Sequence, residues 1–250
     1  MNDVANPVTI SESSEQQPLP PLVIAIDGPS GSGKSSTARG VAKRLGLSFL
    51  DTGAMYRAVT VAYLRSSLDA TMTDEIAALA DQVELTVDDD PESPGISLDG
   101  EDVTFVIREP QISQHVSLVA TNPHVREVLT DQMRALIEAA DQRIVVEGRD
   151  ITTVVWPRAE VRVLLVADPA ARIARRQAEL EGVAVEQVTD QVVRRDRDDS
   201  TVSEFGTPAD GVTLVDSTHL NLEQVIDHVC SLVPTELLAP NTGQPTPPTE

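Results

Sequence analysis

Apolar residues along this chain gather into short unbroken runs, and stretches with a helical period separate them. That alternation of strand and helix is the mark of an α/β protein. Leu22–Asp27 predicts a buried strand, with a helix over Ser35–Leu45 after it. Ser48–Leu50 predicts a second strand, followed by a helix from Ala54 to Ser66. Arg143–Glu147 and Val161–Ala167 are two further apolar strands, and Arg172–Leu180 and Val188–Arg195 are helical by composition. Thr213–Val215 is the last strand; Leu222–Leu232 is the last helix, apolar at 222, 225, 226, 229 and 232.

The middle breaks this rhythm. Thr73–Gln82 predicts a helix, and Val83–Val87, Ile96–Leu98 and Asp102–Phe105 predict short antiparallel strands, with Asp99-Gly100 as a tight turn. Helices are expected near Gln111–Ala120 and Pro123–Ala140, the second with proline in its first turn. Residues 72–125 therefore read as an inserted subdomain within a domain spanning 21–232. Residues 1–20 are polar and aperiodic and predict a disordered leader, while 233–250, rich in proline, predict a disordered tail.

Composition narrows the function. A net charge of −21 repels nucleic-acid phosphates and anionic membranes, and six aromatics among 250 residues make a poor base-stacking platform. No apolar run is long enough to cross a membrane, no signal peptide is visible, and the lone Cys230 suits a reducing cytoplasm. The expectation is a cytoplasmic monomer with neither nucleic-acid nor membrane partners. Seventeen of the nineteen basic residues are arginine, and none lies between Arg65 and Arg108, where twelve acids fall. The remaining cationic charge is concentrated in a few segments.

One of these is Gly28-Pro29-Ser30-Gly31-Ser32-Gly33-Lys34-Ser35, which matches G-x-x-x-x-G-K-[ST] in full between a predicted strand and a predicted helix. The glycines let backbone N–H groups face phosphate oxygens, and the helix N-terminus adds partial positive charge. Lys34 can reach β- and γ-phosphates, and the Ser35 hydroxyl can ligate Mg²⁺. The pattern predicts a nucleoside triphosphate ligand. A GTP switch would need an N-K-x-D motif, and no lysine exists beyond Lys43. An ATPase stays open, because Val145-Val146-Glu147 could serve as its acidic strand end.

Three more segments fall where a strand or helix gives way to a loop, the ligand edge of a doubly wound sheet. They are Leu50–Arg57, Gly148-Arg149-Asp150 and Arg194–Ser200. Asp27–Ser36, Leu50–Arg57, Glu147–Pro157, Arg195–Ser200 and Asp210–Thr218 together resemble the bacterial cytidylate kinase family of the nucleoside monophosphate kinase superfamily. The resemblance covers about residues 21–232. It implies a P-loop NTPase-like parallel sheet flanked by helices, an inserted small α+β nucleotide-binding subdomain and a mobile lid over 194–208.

It also implies roles. Lys34, Arg149 and Arg195 would serve catalysis; Gly28 to Ser36, with Arg172 and Arg176, would hold ATP. Thr52, Tyr56, Arg57 and Arg149 would surround the phosphate and sugar of CMP, and Ser117, Arg126 and Asp150 the cytosine edge. Arg195 would contact phosphate and Asp199 the ribose, with Mg²⁺ on Ser35. Cytosine N4 is a donor that Asp150 can accept, whereas uracil carries an oxygen there, so CMP and dCMP are the expected acceptors. Arg172 and Arg176 also fit a solvated helix face. The chain departs from the family pattern at Val202, where a second lid arginine is usual, at Thr152 in place of glycine, and at Glu147 in place of aspartate. Another P-loop small-molecule kinase, or a nucleotide-binding module without an acceptor, remains open on residues alone.

Overall fold

The structure, a computed structural model, describes residues 19–179, 189, 193–194, 197–198, 201 and 207–238. Its centre is a five-stranded parallel sheet of β1 (Leu22–Asp27), β2 (Ser48–Asp51), β6 (Arg143–Gly148), β7 (Val161–Val166) and β8 (Thr213–Asp216). The order is β2-β6-β1-β7-β8, so β1 lies in the middle. All six β1 residues are buried, and their pleat feeds two cores. Leu22, Ile24 and Ile26 pack with Ala38, Val41, Ile226 and Val229, from helices α1 (Lys34–Leu45) and α7 (Leu222–Ser231). Val23 and Ala25 pack on the opposite face with Met55, Leu129 and Met133, from α2 (Thr52–Arg65) and α5 (Pro123–Ala139).

The middle segment holds α3 (Thr73–Gln82), a three-stranded antiparallel sheet of β3 (Leu85–Asp88), β4 (Gly95–Leu98) and β5 (Glu101–Asp102), a short 3₁₀ turn at Val106–Arg108, and α4 (Pro110–Ala120). Ile96, Leu98, Ile107 and Ile112 join the same cluster as Val23 and Met55, so this segment shares its core with one face of the main sheet. Asp99 and Gly100 carry φ of 51° and 80°, the double left-handed turn that a tight hairpin needs. The third strand is shorter than the apolar pattern predicts. Asp102 accepts from the Thr104 N–H at 2.9 Å and Thr104 Oγ1 accepts from the Ile96 N–H at 2.9 Å, which turns the chain into Val106–Arg108 before Phe105 can pair. Val83 caps α3 by donating to the Leu79 carbonyl, which delays β3 to Leu85.

The helix expected from Ala54 starts two residues earlier. Asp51 is its N-cap and accepts from the Ala54 N–H at 3.1 Å, so the α2 N-terminus stands directly at the end of β2. The helix expected from Arg172 likewise begins at Pro169 and runs to Glu179 as α6. Order continues past Leu232: Val233 is buried beside α7, and Thr235–Leu237 forms a 3₁₀ turn. The leader to residue 18, most of the helix over Val188–Arg195 and most of the lid over 194–208 lie outside the described residues.

Candidate active site

The carboxyl ends of β1, β2 and β6 open into one cleft of about 390 Å³. After β1, the loop from Gly28 turns into α1 through Gly31 and Gly33, at φ of 75° and 89°. A Cβ on Gly31 would come 2.7 Å from the Arg172 carbonyl oxygen, so the loop can press against α6 only as glycine. Arginines tie the loop's carbonyls: Arg149 Nη1, itself in the cleft lining, donates to Gly28 at 2.9 Å, and Arg172 Nη1 of α6 donates to Ser30 at 3.0 Å. Arg175 Nη1 donates to the Ser32 carbonyl at 3.1 Å. Because a trans peptide sets C=O and N–H on opposite sides, these bonds turn the Gly31 and Gly33 N–H groups away from α6, toward the cleft they line. Ser32 Oγ is buried with no hydrogen-bond partner among the described residues.

Lys34 Nζ lies 3.9 Å from Glu147 Oε2, and Ser35 Oγ donates to Glu147 Oε1 at 2.5 Å. Glu147, the penultimate residue of β6, is 2% exposed. Burial, then the Asp51 charge, push its carboxyl up to about 7, against the pull of Lys34, the Ser35 hydroxyl and Arg149. A hydroxyl and a buried carboxylate are hard oxygen donors of the kind Mg²⁺ takes. No group of three or more His, Cys, Asp or Glu side chains suited to holding a metal occurs among the described residues.

Across the cleft, α2 contributes Thr52, Gly53, Tyr56 and Arg57. Arg57 Nη1 donates to the Ile107 carbonyl and to Ser113 Oγ, both at 3.0 Å, which aims it from the antiparallel side. Arg126 donates through Nη2 to Asp150 Oδ2 and through Nη1 to the Ala120 carbonyl at 3.0 Å, and its guanidinium carbon lies 5.8 Å from the Tyr56 ring centre. Burial raises the Asp150 carboxyl above its usual range, with Arg126 as the main opposing influence. Asp150 is held in turn by its neighbours. Asp27, the last residue of β1, accepts the N–H groups of Ile151 and Thr152 at 2.8 Å each and the Thr152 hydroxyl at 2.6 Å. Thr152, where the family pattern has glycine, thus adds a third donor to this buried carboxylate. Gly148 has no room for a side chain: a Cβ would sit 2.6 Å from Thr52 Oγ1.

Of the residues singled out by sequence, Ser30, Gly31, Gly33, Lys34, Ser35, Ser36, Thr52, Tyr56, Arg57, Arg126, Arg149, Asp150 and Arg176 line the cleft. Gly28, Pro29 and Ser32 form the loop behind that lining, and Arg172 supports it from α6. Ser117 is not among the lining residues; the α4 serine joined to the site is Ser113, through Arg57. Arg195 and Asp199 lie outside the described residues. Asp51 and Arg108 also line the cleft with no role expected of them from sequence, and so does Glu147, the candidate acidic strand end. Arg108 carried a signal, since it ends the long stretch without basic residues, and Glu147 was visible as the acidic end of an apolar strand.

The family model described as cytidylate kinase matches residues 24–235. A cytidylate kinase of Cutibacterium acnes is 62% identical over 220 residues, covering 87% of this chain and 98% of its own. One from Streptomyces avermitilis is 44% identical over 225 residues, 89% and 96% of the two chains. A solved shikimate kinase from Bacteroides thetaiotaomicron overlaps with a TM-score of 0.45 at 10% identity, covering 84% of this chain and 97% of that one, too loosely to bear on function.

Proposed function

The chain belongs to the cytidylate kinase family, and from that premise we propose that its cleft transfers the γ-phosphoryl group of ATP to CMP or dCMP, giving ADP and CDP or dCDP. The observation that carries the reading is the meeting of two dissimilar anion sites in one cleft. Glycine N–H groups and Lys34 stand on one side; Arg57, Arg126 and Arg149 stand on the other, beside a buried carboxylate.

The chemistry asks little covalent work of the protein. The acceptor phosphate is already an anion, so no general base is needed, and the task is alignment and charge stabilisation. Lys34 and the loop N–H groups would hold the ATP phosphates, while Arg57 and Arg149 hold the acceptor phosphate in line. Tyr56 and Thr52 would border its phosphate and sugar. Asp150 would accept from cytosine N4, with Arg126 steering that carboxylate and donating to N3 or O2. Mg²⁺ would be held by Ser35, with Glu147 anchoring that hydroxyl, and would neutralise charge on the β- and γ-phosphates. By family resemblance Arg195 and Asp199 would complete the phosphate and ribose contacts.

A cytoplasmic, monomeric enzyme of pyrimidine nucleotide metabolism without nucleic-acid partners follows from the same reading. It is supported by the charge of −21 and the single cysteine; no helix among the described residues is long and apolar enough to cross a membrane. An ADP-release assay across CMP, dCMP, UMP, AMP, GMP and shikimate tests the reaction. Turnover with CMP and dCMP well above the others is expected. Release that ignores the acceptor would replace the kinase with a plain NTPase.

A further inference from the structure

Gly33 has φ 89° and ψ 9°, a conformation open to glycine on either side of the map. Local sequence therefore does not fix which way the Ser32–Gly33 peptide faces. With its carbonyl outward, the Gly33 N–H meets the ligand; flipped, a carbonyl oxygen would meet a phosphate. The structure ties this peptide from outside the cleft. Arg175 Nη1 donates to the Ser32 carbonyl at 3.1 Å and to Ser217 Oγ at 2.9 Å, and Nη2 to the Ser217 carbonyl at 2.6 Å. Ser217 is 1% exposed; its Oγ lies 3.1 Å from the Ser32 carbonyl and 3.0 Å from that of Val166, at the end of β7. A hydroxyl has one proton to share between those two acceptors, so the guanidinium is the steadier donor.

We infer that Arg175, anchored by Ser217, is a positioning residue for ATP: it sets the Ser32–Gly33 peptide so that its N–H faces the nucleotide phosphates. Neither residue is among those that line the cleft, so the pair is argued to act through the Ser32–Gly33 peptide. The guanidinium also polarises the peptide it binds, which strengthens the opposing N–H as a donor. Among the described residues the hydrogen bonds of Arg175 run to Ser32 and Ser217, both away from Arg57, Arg126 and Asp150, so the effect is expected on one substrate. The inference rests on the reading that ATP occupies the glycine-rich loop.

Steady-state kinetics with each substrate varied in turn, together with calorimetric titration of ATP and of CMP, test it. Arg175→Gln is expected to weaken ATP, in KM and in binding, by about tenfold, the loss of a charge-assisted hydrogen bond. CMP should stay within about twofold, the scale of an untouched contact. Arg175→Lys, which keeps the charge and one donor, should recover part of the loss, and Ser217→Ala should show a smaller loss in the same direction. Equal weakening of both substrates, or ATP affinity within about twofold of the parent in Arg175→Gln, would overturn the inference. Should Arg175→Gln fail to fold, Arg175→Lys and Ser217→Ala decide, and unchanged ATP affinity in both overturns it. A parent enzyme that releases ADP without regard to CMP would instead sink the proposed reaction, while its ATP affinity still reports on Arg175.

Discussion

On the loop side of the cleft the donors turned toward it are largely backbone N–H groups, with arginines bonded to the loop's carbonyls; on the α2 side the arginines themselves line the cleft. Arg149, Arg172 and Arg175 bond the carbonyls of Gly28, Ser30 and Ser32. Arg57 and Arg126 instead line the cleft, each braced by a carbonyl and by a side chain, Ser113 or Asp150. The difference teaches where each half is vulnerable. A backbone site fails when a glycine gains a Cβ or a peptide turns, whereas a side-chain site fails when one functional group is replaced. Arg149 belongs to both halves, since it lines the cleft while holding the Gly28 carbonyl.

The sharpest way to break that contrast is to remove the two cations proposed to flank the transferred group. Lys34→Ala and Arg149→Ala are expected to cut turnover by ~10²–10³ with the fold retained, the scale set by losing one well-placed electrostatic donor. Near-parental turnover in either variant, with circular dichroism unchanged, would remove it from the catalytic machinery.

The α2 side should instead respond in selectivity. Asp150→Ala is expected to narrow the preference for CMP over UMP by about tenfold or more, since a good base-edge contact discriminates by roughly 1–3 kcal/mol. Burial raises the Asp150 pKa, so its proton returns at a higher pH than for an ordinary carboxyl. As pH falls through that value the group loses its acceptor for cytosine N4 and gains an O–H suited to uracil. The CMP preference should shrink on acidification in the parent enzyme and stay flat in Asp150→Ala. A parallel decline in both would assign the effect elsewhere.

Gly31→Ala probes the backbone side in return. At φ 75° and 2.7 Å from the Arg172 carbonyl, a methyl group meets both strain and backbone. A loss of about 1–2 kcal/mol in chemical denaturation, the cost of a left-handed alanine, should accompany weaker ATP and unaltered CMP binding. CMP weakened as much as ATP would blur the two halves into one.

The smallest effect lies outside the cleft. His124 Nε2 pairs with Asp81 at 2.7 Å between α5 and α3, and that carboxylate raises the imidazole pKa. A raised folded pKa means a stabilising contribution present below the unfolded value of 6.5 and lost as pH rises through the folded one. Asp81→Asn should therefore lower Tm slightly near pH ~5 and leave it unchanged near pH ~8.5, without altering kinetics. A Tm change of equal size at both values would rule out the ion pair as its source.

Much of this molecule is legible in residue order. Each strand of the parallel sheet, the turn at Asp99-Gly100, and helices such as Thr73–Gln82 follow from short-range pattern. Some boundaries moved where a side chain captured a backbone group, as Asp51 does at the start of α2 and Asp102 at the end of β5, and β3 was delayed where the end of α3 captured the Val83 N–H. The arginines were harder. The resemblance implies Arg172 and Arg176 of α6, four residues apart on one face, as ATP contacts, while their residue pattern fits a solvated face as well. In the fold Arg176 lines the cleft, Arg172 supports the loop, and the unremarked Arg175 holds Ser32.

By itself the sequence determined the cradle for phosphate, because glycine backbone, a lysine and a helix start act within a few residues of each other. It determined the alternation that stacks those ends on one edge of a sheet. Only the tertiary structure decided which of the described arginines line the cleft and which brace its loop from α6. Arg57, Arg126 and Arg175 differ in neither charge nor chemistry. An arginine reaches several ångströms from its backbone, and its target is chosen by what packs around it: Ser113 and Ile107, Asp150, or Ser217.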